Sequence, residues 1–473
     1  MRKFFSSTVF LLFFHSFLFA QGGYKDLMNE GDSYLNRNPP DVMMARMKYL
    51  QALSKETNDP EVYIKIAITF IQGKDERSAN LYLNDGLKLF PEGKSNMKAI
   101  LTYYKGMVKE FIPPDTKDTN KIKKHFSEGI KYYLESLDYL ETPSFTWNDF
   151  EFSKVNVFCD VGRLYMMIND AENGIKYFNL CLQEMNGDKN NRYYDIANFG
   201  LGQIYKFLGS SDSAVVHFNN ILANEPGNLN ALSELYDLYF NTGKYDEGFA
   251  VVSRIDSMIT KVYNDLIQRK NAQKDSVNYF GNILYNTKME KGHLMFNAQK
   301  FDESVKFYKE AYKLKKSKKL LSVLKKMTIL SEMSQKGFVP VVKDGLFISK
   351  GAEYFFYIPS ELKQNADSSY NAAVTSIITG GVDMNLSNVI ESSYDASAPD
   401  NPDKEIALKY AKNEYSLTFK CGNNNYTQNF VKKFNSAGKN ISTSADGKPV
   451  SLTAKPGSAE QEILMFLCRA AGK

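Results

Sequence analysis

Four cysteines, four histidines and one tryptophan in 473 residues leave little stock for metal or acid–base chemistry. A zinc site needs three or four clustered ligands. His15 lies in the N-terminal leader, and His125, His217 and His293 have no second ligand three or four residues away, so each reads as a helix-surface residue. The sequence has no Gly-x-Ser-x-Gly, no His-Glu-x-x-His and no phosphate loop. Gly380-Gly381 reads as a hairpin or loop signal only, and acidic residues such as Glu303 and Glu310 are spread along helix faces without forming a close pair by spacing. No metal, no cofactor and no catalytic group is expected, and the chain reads as a non-enzyme. Charge of one sign is lacking too: 59 Lys+Arg stand against 54 Asp+Glu, a net +5. Nucleic-acid binders carry a strongly basic field, so no nucleic-acid partner is expected.

Long apolar runs are confined to the start, MRKFFSSTVFLLFFHSFLFAQGG. Arg2 and Lys3 form a positive n-region, Phe10 to Phe19 an apolar run broken by His15 and Ser16, and Ala20 the small residue before a cut. Residues 1–20 therefore read as a signal peptide, with an uncleaved anchor as the rival reading. No cysteine sits at the cut, which argues against a lipoprotein anchor. No later segment approaches 18 apolar residues, so no transmembrane segment is expected in the mature chain. The expected location is outside the cytoplasm, in the periplasm or at the cell surface of a bacterium.

What is present is a repeat. In LGQIYKFLGSSDSAVVHFNNILANEP, Leu201 to Pro226, apolar residues recur at helical spacing on both sides of a Gly209 turn. Asp212 or Ser213 is expected to cap the second helix. Small Gly202 and Ala214 let two antiparallel helices approach, Tyr205 and Phe218 fill the space beside them, and Pro226 ends the unit. Tyr239, Gly243 and Gly248 follow Tyr205, Gly209 and Ala214 at a fixed interval of about 34 residues, the mark of a helical solenoid. Leu201, Gly202, Tyr205, Gly209, Ala214, Phe218 and Pro226 resemble the tetratricopeptide repeat, with Asn198 where that repeat has its tryptophan. Weaker copies run through Gly31/Tyr49, Ala67/Leu83, Gly162/Phe178 and Gly292/Tyr308. The segment from Tyr103 to Leu140 is helical in period but broken by FIPPDTKDTN. About seven helix pairs are expected between residues 24 and 335. The last helix, in the lysine-rich stretch Lys313 to Leu330, reads as a cap: Leu320, Leu321, Leu324 and Met327 dock while its lysines solvate an open end.

At KGFVPVVKDG the helical pattern stops, and residues 338–473 read as a small α+β domain. Strands are expected at Tyr354–Ile358, Ala372–Thr379, Glu405–Tyr410, Tyr415–Cys421 and Asn425–Phe434, with the loop ESSYDASAPDNPDKE among them. Ser458 and Gln461 form a capping box that starts a final helix. Cys421 ends a strand and Cys468 sits on that helix's docking side. In an exported protein they form a disulfide, of the order of 4 kcal/mol on the chain-entropy view, or else two buried thiols. Cys159 and Cys181 stand on the two helices of one repeat and read as buried thiols, a second disulfide being the alternative. The run from Lys412 to Cys468 resembles the surface-adhesin protein E domain at Cys421, Tyr426, Phe434, Gly438, Pro456, Gly457, Ser458 and Cys468. That resemblance implies an exported antiparallel sheet with a terminal helix.

The expected fold is thus an α-solenoid of tetratricopeptide-like helix pairs followed by a small α+β domain, an antiparallel sheet with a C-terminal helix. The expected function is an exported, non-catalytic interaction scaffold whose concave groove binds a protein or peptide partner. Repeat register puts Asn198, Gln203 and Lys206 in the groove of one repeat and Ser233, Asp237 and Phe240 in the next. The alternative is a surface adhesin whose C-terminal domain binds an extracellular macromolecule. A third reading, an enzyme, needs a deep pocket of clustered titratable groups in that domain.

Overall fold

The computed structural model of the chain describes residues 23–148, 150–269, 271–343, 346–350, 353–379, 384, 398–399, 402, 411–436, 439–444 and 449–472. The leader, Gly380-Gly381, most of the loop at 391–405, the strand expected at Glu405–Tyr410 and Gly438 lie outside the described residues. Two compact units divide at Ala231/Leu232. Each is described by itself.

The first unit holds five helix pairs: α1 (Tyr24–Leu35) with α2 (Val42–Leu53), α3 (Pro60–Gln72) with α4 (Glu76–Leu87), and α5 (Asn96–Phe111) with α6 (Thr119–Asp138), then α7 (Lys154–Met167) with α8 (Ala171–Glu184) and α9 (Arg192–Phe207) with α10 (Ser211–Asn224). Helix α11 (Leu229–Asn241) crosses the division. The second unit continues with α12 (Tyr245–Gln268), α13 (Lys274–Asn297), α14 (Phe301–Leu314) and α15 (Lys318–Gln335).

These are tetratricopeptide-like pairs, and one packing device recurs in them. On the second helix of every pair a small residue precedes a large one by a single turn: Ala45/Tyr49, Ala79/Leu83, Gly129/Tyr133, Gly174/Phe178, Ala214/Phe218, Gly248/Val252 and Ser304/Tyr308. All seven large side chains are fully buried. On the first helix a glycine receives the ring. A Cβ added to Gly31, Gly106, Gly162, Gly202 or Gly292 would stand 2.3–2.9 Å from a ring carbon of Tyr49, Tyr133, Phe178, Phe218 or Tyr308. Such contacts are well inside van der Waals range, so the two helices touch only because no Cβ intervenes. In α11–α12 the sizes are exchanged. Tyr236 stands in the register of Gly202 and Val252 in that of Phe218, and both belong to one apolar cluster.

The turn between paired helices also repeats. The amide nitrogens of Asp75, Asp170, Ser210, Lys244 and Lys300 donate back to the carbonyls of Phe70, Tyr165, Tyr205, Tyr239 and Met295. That closure needs a left-handed residue just before each donor. Gly209 and Gly243 supply it at φ +74° and +72°, whereas Gln299 is forced to +59°. Exchanging Gln299 for glycine is therefore expected to raise stability by about 0.5–1 kcal/mol, visible as a higher thermal midpoint. Neither Asp212 nor Ser213 caps α10, contrary to expectation. Ser210 is the cap residue, and its side chain makes no capping bond. Glu225, before Pro226, leaves the helical region at φ −120°, ψ 88°, as proline requires of its predecessor.

One element was not expected. Between α6 and α7 a hairpin pairs β1 (Ser144–Trp147) with β2 (Phe150–Ser153). Its Phe152 is fully buried against Tyr103, with ring centroids 5.1 Å apart.

In the second unit an antiparallel sheet follows the helices, in the order β12-β11-β10-β9-β7-β3: Asn440–Ser444, Asn425–Phe434, Ala411–Phe419, Tyr370–Ile378, Glu353–Tyr357 and Val339–Pro340. Short strands β6 (Ser349–Lys350), β8 (Lys363–Gln364) and β13 (Val450–Thr453) extend it, and β4 (Val342–Lys343) pairs separately with β5 (Leu346–Phe347). Helix α16 (Ala459–Ala470) starts where the capping signal placed it: Ser458 Oγ accepts from Gln461 N at 3.3 Å. The reciprocal bond goes one residue earlier than a capping box requires, Gly457 N donating to Gln461 Oε1 at 2.7 Å.

The run YFFY explains how the sheet is held. Phe355 and Tyr357 join the cluster that contains Ile463, Leu464 and Leu467 of α16. Tyr354 and Phe356, on the opposite face by strand alternation, join Leu320, Leu324, Met327 and Leu330 of α15. A strand buried on both faces needs no polar alternation. Helix α15 is therefore not an open end. Its leucines do dock on α14, but the sheet covers its other side, and Lys326, 5% exposed, lies over the rings of Phe296 and Phe347. Helices and sheet share one core, so the change from helix to strand after Gln335 falls inside a compact unit.

Candidate functional site

Helices α7 and α9 are successive first helices, and a groove runs between them. Met166, Asn169, Ala171, Phe199, Gln203, Ile204 and Phe207 line one hollow of about 320 Å³. Arg163, Met166, Asp195, Ile196, Phe199 and Asn230 line part of an adjoining one of about 290 Å³, which shares Met166 and Phe199. Asp195, Phe199 and Gln203 recur at one-turn intervals on α9, so they form a row. Phe207 is 74% exposed at its end. Its ring adds apolar area at the open rim of the hollow.

Of the residues that register assigned to the groove, Gln203 and Lys206 are half-buried on α9, and Gln203 lines the hollow. Asn198 does not line it. It is fully buried; its Nδ2 donates to Tyr194 O at 3.0 Å, and its Oδ1 meets His217 Nδ1 and Asn220 Nδ2, each at 3.0 Å. A polar side chain at the helix–helix contact is retained by having partners, and the two that meet its Oδ1 come from α10. In the second unit Ser233 is exposed and Asp237 half-buried on α11. Phe240 turns to the core side, its ring 5.9 Å from that of Tyr236. Phe199, Phe207 and Met166 were missed by repeat reasoning. Two phenylalanines eight residues apart were the available signal.

Of the three described histidines, two are buried and one is half-buried, so they are not the solvent-facing residues expected. His125 is buried with Nε2 2.8 Å from Lys109 O, His293 is buried against the Tyr308 ring, and His217 stacks on Tyr205. Desolvation lowers His293 to about 4, so it stays neutral. Cys159 and Cys181 are buried thiols, Cys181 Sγ lying 3.3 Å from Val155 O. Cys421 and Cys468 have Cα atoms 5.6 Å apart with their sulfurs in bonding reach.

Close acidic pairing does occur, through residues fifty positions apart. Arg163 Nη2 meets Glu110 Oε1 at 2.6 Å and Asp160 Oδ1 at 2.7 Å, both carboxylates almost wholly buried. Tyr133 donates to Glu110 at 2.5 Å, and Tyr103 donates to Asp160. One cation thus serves two acids. Burial first, then the charge of Asp160, lifts Glu110 to about 7 against the pull of Arg163. The arrangement ties α5, α6 and α7 to one another, and Arg163 also reaches the wall of the smaller hollow.

The sheet carries a larger hollow, about 450 Å³, between its strands and α16. Three of its charged groups are engaged: Lys350 pairs with Glu460 at 2.8 Å, and Glu353 Oε1 accepts from Asn413 and Tyr415. Among the described residues no helix is long and apolar enough to cross a membrane, and no group of His, Cys, Asp and Glu is arranged to hold a metal.

No family model matches this sequence, and no curated protein matches it. Solved structures do. The C-terminal part of a TPR repeat-containing protein of Cytophaga hutchinsonii is similar at 11% identity over 62% of this chain and 97% of that one, with a TM-score of 0.43. A tetratricopeptide repeat protein of Parabacteroides merdae is similar at 15% identity over 65% and 98%, TM-score 0.36. PilF of Pseudomonas aeruginosa is similar at 13% identity over 50% and 91%, TM-score 0.37. The assignment of the helix pairs rests on the packing and turn register described above.

Proposed function

We propose that this protein is an exported, non-catalytic scaffold that binds an extended segment of a partner protein in the groove along α7 and α9. The observation that carries the reading is Phe207, three-quarters exposed beside the apolar walls of Met166 and Phe199. An exposed ring costs free energy until something covers it, and at about 25 cal/mol per Å² its burial favours binding. The rigid helix pairs hold that surface preformed, which limits the ordering cost of association.

Export rests on the N-terminal leader pattern and agrees with a Cys421–Cys468 disulfide, which persists only in an oxidising compartment. The helical part at 24–335 is read as the binding element, and the sheet at 338–473 as a module that covers its last helices. The strand, strand and terminal-helix order of Lys412–Cys468 supports the likeness to the surface-adhesin protein E domain as one of fold, and fold does not carry adhesion with it.

The reading is tested by purifying the tagged chain from its own envelope fraction beside a Phe199→Ala/Phe207→Ala variant. A stoichiometric partner lost at least tenfold in the variant is expected. A partner retained equally by both would place binding elsewhere.

A further inference from the structure

We infer that the groove on α7 and α9 accepts a cationic group, a lysine or arginine side chain or a chain-terminal ammonium, next to the apolar side chain that covers Phe199. This rests on the peptide-groove reading and names the chemistry of its ligand. Asp195 lines the hollow one turn before Phe199, and its Oδ1 is buried with no hydrogen-bond partner in the protein. A buried acceptor left without a donor costs about 1–3 kcal/mol, more for a charged group, so the site is incomplete as it stands.

No cation of the hollow's own wall is free to complete it. Arg163, which also lines the hollow, is committed to Glu110 and Asp160 at 2.6 and 2.7 Å. That guanidinium is already shared by two carboxylates behind the wall, so it is not available to Asp195. Burial, the main cause, and the nearby charge of Glu225 both raise the Asp195 carboxyl above its ordinary range, while Asn224 hydrogen-bonds to it in opposition. An ammonium or guanidinium arriving from outside would supply a charge-assisted hydrogen bond in a partly desolvated site.

Spacing refines the ligand. Four residues of helix separate Asp195 from Phe199, a rise of about 6 Å, which two residues of extended chain match at about 3.3 Å each. The expected ligand is a strand with its cation two positions from a large apolar residue.

Random dodecapeptides displayed on phage, panned against residues 21–473, supply the probe, and anisotropy of the labelled synthetic peptides measures it. The expected result is a Lys- or Arg-containing consensus with the apolar residue two positions away. Binding should weaken at least tenfold with either Asp195→Asn or the peptide's cation replaced by norleucine, and little further with both. Retention after N-terminal acetylation assigns the cation to a side chain; loss assigns it to the terminus. Peptides that lose binding to Phe207→Ala but tolerate Asp195→Asn would overturn the inference and leave the groove reading standing. Peptides indifferent to Phe207→Ala would overturn both.

Discussion

Replacing Gly202 with valine is expected to destabilise the first unit by about 3 kcal/mol, and replacing Phe218 with alanine by about 3–5 kcal/mol. The causes are opposite. A Cβ on Gly202 would meet the Phe218 ring at 2.7 Å, and that ring is fully enclosed, so it has no room to withdraw. Loss of the ring leaves a cavity beside Gly202 and Phe199. Combining the two substitutions puts new methyls into the space that the ring vacated. The double variant should therefore be less damaged than the sum of the singles, with a favourable coupling of about 1–3 kcal/mol in denaturant unfolding. Strict additivity would mean that the glycine and the ring do not share one space, and the packing account of the repeat would fail.

Removing the Arg163 guanidinium as Arg163→Met is expected to cost about 3 kcal/mol near pH 8, because Glu110 and Asp160 would remain buried with no cation between them. The loss should shrink toward pH 5, where the two acids escape the conflict by taking up protons. The intact protein carries a milder form of the same dependence. Glu110 holds its proton to about pH 7 when folded and to the ordinary carboxylate range when unfolded. A group raised in this way lends stability that is complete below its unfolded value and is lost as the pH rises through the folded one. Stability should accordingly fall across about pH 4.5–7, by an amount on the order of 2 kcal/mol from this group. Glu110→Gln keeps an acceptor for Tyr133 and removes the titration, so its profile should be flatter and its stability at pH 8 higher. A Glu110→Gln profile as steep as the parent's would show that the carboxyl is ionised and satisfied.

How far the fold could be read from the chain depended on the range of the interaction. The helix pairs were legible because a glycine and its ring lie sixteen residues apart, as in Gly202/Phe218 and Gly292/Tyr308, and because Gly209 and Gly243 mark the turns. Strands β7, β9, β10 and β11 were legible for the same reason, each being an apolar or alternating run between turn residues. The hairpin at 144–153 was hidden because a four-residue strand gives too short a period to stand out within a helical region. Arg163 could not be matched to Glu110, since only tertiary packing brings positions fifty residues apart together. The shared core of α15 and the sheet was equally out of reach. YFFY is apolar on both strand faces, but it does not say what covers each. Asn198 was misplaced because a polar side chain at a repeat surface position reads as solvent-facing until its partners on α10 are seen. In the groove, Gln203 followed from register, while Phe207 and Asp195 required knowing which side chains the helices leave uncovered.

The most direct measurement is site-specific photo-crosslinking in the native cell. A benzophenone amino acid at position 207, in the groove, is compared with the same probe at Leu81, an exposed apolar position on α4. A single discrete adduct from position 207 and none from position 81 is the expected result. Equal labelling at both positions, or no adduct from position 207 in cells that express the protein normally, would contradict a scaffold that works through the α7–α9 groove.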